Sequence, residues 1–67
     1  MIIKIARVKK CLSLEQLAEK TGISRITLSK YEKGDCDSMT LKNLKKLVNA
    51  LNLTPEEIVE LVNRIDL

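Results

Sequence analysis

Apolar residues recur along the chain at spacings of three and four, in five short runs separated by turn-forming residues, and this rhythm predicts helices. In the first run Ile2 or Ile3, Ala6 or Ile5, and Val8 sit among Lys4, Arg7, Lys9 and Lys10, the pattern of an amphipathic helix that ends near Cys11. Ser13 opens the second, because a hydroxyl followed three residues later by Gln16 makes a capping box. Leu14, Leu17 and Ala18 form its inner face, and Gly22 stops it, glycine being the residue that takes positive φ most cheaply. Ser24 caps a third helix that runs through Arg25, Ile26, Thr27, Leu28, Ser29, Lys30 and Tyr31 and stops before a turn at Gly34. After a polar loop Thr40 caps the fourth, whose Leu41, Leu44, Leu47, Val48 and Leu51 make an apolar stripe. Thr54, Pro55, Glu56 and Glu57 then combine a cap, a proline at the first helical position and an acidic capping-box partner, and Ile58, Leu61, Val62 and Ile65 of this fifth helix face inward. No alternating run of β-branched or aromatic residues is long enough for a sheet, so the expected fold is all-α.

Composition narrows the chemistry. Sixty-seven residues, 45% of them hydrophobic, are expected to make a single domain over residues 1–67, near the lower size limit for a core without staples. The sequence has no histidine, which removes zinc-finger chemistry, histidine-based acid/base catalysis and Ser/His or Cys/His nucleophile pairs. A Ser/Lys nucleophile is disfavoured too, because Ser29 and Lys30 are adjacent on a helix and do not face each other. The reading is therefore of a protein that is not an enzyme and takes no cofactor or metal. Cys11 and Cys36 lie 25 residues apart without a second pair, so two reduced thiols are expected rather than a metal knuckle or a disulfide framework. Charges break up the apolar residues of the first segment, and no apolar run approaches ~18 residues, so the protein is expected to be soluble and cytoplasmic. Residues 1–46 carry eleven Lys/Arg against five Asp/Glu, whereas residues 47–67 carry one against four. Such polarity either presents a basic side to a polyanion or merely solvates a small domain.

A short helix, a tight turn and a second short helix make a helix-turn-helix, and the geometry demands a small Ala18 at the crossing, Gly22 at the turn, and Ile23 with Leu28 sealing the wedge. Together with Leu12-Ser13, the run from Leu17 through Lys20, Thr21 and Gly22 to Arg25, Tyr31-Glu32-Lys33-Gly34 and Ala50-Leu51-Asn52-Leu53, these residues resemble the phage repressor and Cro-like helix-turn-helix family, also called the XRE family. The resemblance spans residues 3–62. It implies a five-helix lambda-repressor-like domain that binds double-stranded DNA, usually as a homodimer on a pseudo-palindromic operator, in transcriptional regulation and most often repression.

The reading helix of that family matches residues 24–31, and a helical projection turns Leu28 and Tyr31 toward the core. Arg25, Ile26, Ser29, Lys30 and, past the helix end, Lys33 are left toward the groove. Arg25 either forks onto a guanine or contacts phosphate. Ile26 meets a thymine methyl or is one of the scattered apolar residues normal on surfaces. Lys30 and Lys33 are phosphate ligands or solvated lysines, and Ser24 and Thr27 cap the helix or touch phosphate. The resemblance also implies a partly buried salt bridge between Arg7 and Glu32, with a structural role.

Three departures from the family pattern stand out. Cys11 replaces a usual glycine, at a cost of roughly 1 kcal/mol if the backbone there is left-handed. Leu14 replaces a glutamine that commonly contacts phosphate, which passes that role to Gln16 or to the helix N-terminal amides. The loop 35–39 carries Asp35 and Asp37, with Met39 for a frequent proline, which argues against DNA contacts from it. Val59 and Leu67 are left over from the core stripe of the fifth helix, and either a two-fold interface covers them or they pack in a monomer. An antitoxin-like role, covering a protein partner while binding its own operator, is the alternative function. RNA binding is disfavoured because Tyr31 is the one aromatic residue and offers no stacking platform.

Overall fold

The computed structural model describes residues 2–65, which form five helices in the order α1 (Ile2–Lys9), α2 (Leu14–Thr21), α3 (Arg25–Glu32), α4 (Leu41–Leu51) and α5 (Pro55–Asn63), with no strand among the described residues. Local chemistry sets the boundaries. Ser13, Ser24, Thr40 and Thr54 each adopt extended backbone just before a helix and accept a hydrogen bond from the backbone N–H three residues on. Capping boxes are complete at both ends where the sequence proposes them, Ser13 with Gln16 and Thr54 with Glu57. Ser24 lies outside α3 as its cap, so the helix is displaced by one residue from the 24–31 expectation.

Each helix is only two or three turns long, so tertiary burial of one face supplies most of its stability. Ile3 and Ala6 of α1, Leu17 of α2, Leu28 and Tyr31 of α3, Leu44, Leu47 and Leu51 of α4, and Leu61 of α5 are buried in one core. Helix α2 packs against both α3 and α4, and α1 against the same two, so α3 is held from two sides. Ile23, Cys36, Met39 and Leu53 fill the core from the connections.

Two expected core positions are exposed instead. Val8 is 57% exposed because it lies roughly 160° around the helix from Ala6 at 3.6 residues per turn. Leu41 is 67% exposed because it opens α4, at the margin of its stripe and with no preceding turn to pack beside. Ile58, Val62 and Ile65 are half-buried against the core, while Leu67 lies outside the described residues.

Four connections use positive-φ backbone, one of them Gly34 with φ 96° in the turn after α3. Gly22 has φ 74° and its N–H closes α2 onto the Ala18 carbonyl at 2.8 Å. Asn52, with φ 51°, ends α4 in the same way, as asparagine does more readily than most residues. Cys11 also has a positive φ, 57°, at the α1–α2 turn where the family pattern has glycine.

Candidate nucleic-acid interface

The α2–turn–α3 unit is built around a small polar knot. Thr21 is buried, and its hydroxyl donates to the Leu17 carbonyl at 2.8 Å while accepting from the Ile23 N–H at 3.1 Å. This satisfies both sides of a polar group that burial would otherwise penalise, and it fixes the chain as it leaves α2. Ile23 and Leu28 are buried beneath the turn, and the half-buried Ala18 packs against the same core.

At the start of α3 the Ser24 hydroxyl accepts from the Thr27 N–H at 3.2 Å and donates to the Thr27 hydroxyl at 2.9 Å. Both side chains are thus engaged in starting the helix. Gln16 is exposed, but its amide oxygen accepts from the Ser13 N–H at 2.8 Å, which leaves its NH2 as the part able to donate outward.

The outward face of α3 carries the charge. Arg25, Ile26, Ser29, Lys30 and Lys33 line one shallow groove together with Leu14 of α2. Three of the six are cations and none is acidic. Ile26 is 75% exposed, Ser29 is half-buried, and Arg25, Lys30 and Lys33 are exposed. Asp35, Asp37 and Ser38 form an exposed polar rim on the following loop, while Met39 turns into the core.

Two anchors hold α3 in place behind that face. Arg7 of α1 donates through Nε to Glu32 Oε2 at 2.7 Å and through Nη2 to Glu32 Oε1 at 3.3 Å, a forked pair whose side chains are 14% and 10% exposed. The remaining guanidinium nitrogen, Nη1, donates to the Leu12 carbonyl at 2.8 Å, and the Leu12 N–H returns to the Arg7 carbonyl at 3.2 Å. One arginine therefore clamps both the end of α3 and the strained Cys11 turn. Tyr31 provides the second anchor, its hydroxyl accepting from the Asn43 side-chain amide of α4 at 3.1 Å.

The Asn43–Tyr31 bond and the Thr21 knot leave no mark in the hydrophobic pattern, which carries no signal for polar contacts, whether between helices or within one turn. Leu14, an inner-face residue that departs from the family pattern, also walls the α3 groove.

The thiols differ. Cys11 is exposed, whereas Cys36 is buried, donates weakly to the Tyr31 carbonyl at 3.7 Å, and has its pKa pushed up by burial. Both are free. Among the described residues no cluster of His, Cys, Asp or Glu is suited to a metal ion, and no helix is long and apolar enough to cross a membrane.

The chain matches a family described as Helix-turn-helix over residues 3–58. Neither a curated protein nor a solved structure matches the chain.

Proposed function

The chain belongs to the helix-turn-helix family of DNA-binding proteins, of the phage repressor and Cro-like type, and on that premise we propose that it is a cytoplasmic transcriptional repressor that reads a specific duplex sequence as a homodimer. The supporting observation is the outward face of α3, where Arg25, Ile26, Ser29, Lys30 and Lys33 share a groove without an acidic neighbour. A helix of eight residues is about 12 Å long and fits within a major groove about 12 Å wide.

In this reading α3 enters the major groove. Arg25 forks onto guanine O6 and N7, Ile26 packs on a thymine methyl, and Ser29 reaches a base edge. Lys30 and Lys33 neutralise flanking phosphates, which sets affinity and register rather than sequence. Ser24 and Thr27 hold the helix start toward the backbone, where the amides of its first turn favour an anion. The Gln16 NH2 and the amides that open α2 take a second phosphate. Repression requires only that the bound protein occlude a promoter. Two copies joined through α5, covering Val59, would need their α3 helices about 34 Å apart to meet successive turns of one face of the duplex.

Selection of bound sites from random duplex DNA, repeated at several salt concentrations, tests the reading. An inverted repeat is expected to emerge, with log K falling against log salt by about 0.9 per phosphate neutralised. Failure to enrich any duplex sequence would defeat it. So would an Arg25→Ala, Lys30→Ala double variant that keeps full duplex affinity.

A further inference from the structure

The groove on α3 contains two side chains that phosphate chemistry does not explain. Leu14 and Ile26 are the apolar members of a lining otherwise made of Arg25, Ser29, Lys30 and Lys33. Leu14 belongs to α2, so the two come from different helices of the helix-turn-helix. Leu14 is half-buried and packed against the core, which fixes its position. Ile26 is β-branched on a helix, so its first side-chain torsion has one strongly preferred value. Two stiff apolar walls in a cationic surface make a cleft that is ordered before any ligand arrives, and such a cleft loses little conformational entropy on binding.

The charge around the cleft selects a polyanion, and the apolar walls select an uncharged protrusion on it. Major-groove edges of duplex DNA present one such protrusion, the 5-methyl group of a pyrimidine. We infer that Leu14 and Ile26 together form a cleft for a pyrimidine 5-methyl group, so that Leu14 of α2 is a specificity-determining residue alongside the reading helix. This deepens the proposed function and rests on it. Thymine is the source in unmodified DNA, and 5-methylcytosine presents the same methyl at the same place on the ring.

The test uses the full chain and the duplex that selection yields. Each thymine in turn is replaced by deoxyuridine, which deletes the methyl and keeps every hydrogen-bonding group. Burial of one methyl is worth about a three- to fivefold change in affinity. The parent is expected to lose that factor at one thymine per half-site. Leu14→Ala and Ile26→Ala are each expected to bind the thymine and deoxyuridine duplexes alike at that position. Ile26 is exposed enough for its substitution to leave the fold intact, and Leu14→Gln, which keeps the size of the half-buried side chain and removes its apolar end, carries the Leu14 comparison if Leu14→Ala is unstable. Placing cytosine and then 5-methylcytosine at the same position separates the sources. Recovery with 5-methylcytosine means that the cleft reads the methyl on either base, and an effect confined to thymine assigns it to that base.

A parent indifferent to every methyl deletion, or an Ile26→Ala or Leu14→Ala protein that keeps the parent's thymine preference, would overturn the cleft while leaving duplex recognition standing. Contact of Leu14 with a sugar instead of the methyl would leave the Leu14→Ala protein with the parent's thymine preference. Failure to enrich any duplex at all overturns both.

Discussion

Arg7 concentrates three interactions in one side chain: two to Glu32 and one to the Leu12 carbonyl. Removing it leaves a Glu32 carboxylate that is 10% exposed without its counter-charge, and losing one partner of a buried pair costs about 3–5 kcal/mol. Arg7→Ala is therefore expected to fall near the lower end of that range in urea denaturation, and a loss under 1 kcal/mol would show that the pair behaves as a surface bridge. Cys11 predicts the opposite sign. Its φ of 57° strains a residue with a Cβ, so Cys11→Gly is expected to stabilise by up to about 1 kcal/mol, or roughly 4–8 °C in a domain of this size, read by thermal melting. The thiols also separate by reactivity. Native protein should take up one equivalent of iodoacetamide at the exposed Cys11, with Cys36 protected by burial and a raised pKa until the chain unfolds. Prompt alkylation of both would mean that the loop 35–39 opens readily.

Helix boundaries were legible because they are written in local chemistry. A capping hydroxyl and its capping-box partner lie three residues apart, and the Gly22 N–H reaches a carbonyl four residues back, so the order in the chain suffices to specify them. Which side chains an element buries was legible only near the middle of each stripe. Val8 and Leu41 were misplaced because burial at the margin of a stripe or the first turn of a helix depends on neighbours that periodicity does not contain. Leu14 as a groove wall and Asn43 beneath Tyr31 depend on how two helices meet, so nothing in the sequence marked them. The fifth helix gives a test at this scale. Glu57 has its pKa lowered from 4.5, chiefly by accepting the Thr54 backbone N–H. A carboxyl with a depressed native pKa contributes stability above its unfolded value, and that contribution is lost as pH falls through the native one. The stability difference between parent and Glu57→Gln is thus expected to be fully present at neutral pH and to shrink as pH falls through the native carboxyl value, as followed by denaturation at a series of pH values. A difference that stays constant with pH would assign the cap to the side-chain amide or carboxyl alike, with no role for the charge.

At the scale of the molecule, the described residues put a cationic groove and an acidic helix face on different elements. The α3 groove is cationic, whereas α5 shows Glu56 and Glu60 beside Val59, with Arg64 reaching Glu60 at 3.7 Å in an exposed pair of little energetic weight. An acidic surface next to a polyanion would be repelled, so α5 belongs on the side turned from phosphate or at a junction between copies. Val59 discriminates the two. At 61% exposure it contributes little to the monomer core, and Val59→Glu should leave the melting temperature close to the parent value. If α5 forms the proposed two-fold junction, the added carboxylate meets its own copy across the axis, where like charges repel strongly once water is excluded. Binding to an isolated half-site should then be unchanged, while binding to the complete inverted repeat should weaken by at least about tenfold, because two linked contacts revert to independent ones. Equal binding of Val59→Glu and parent to the complete repeat, measured by titration at fixed salt, would move the junction away from α5 and leave α3 acting either alone or through another surface.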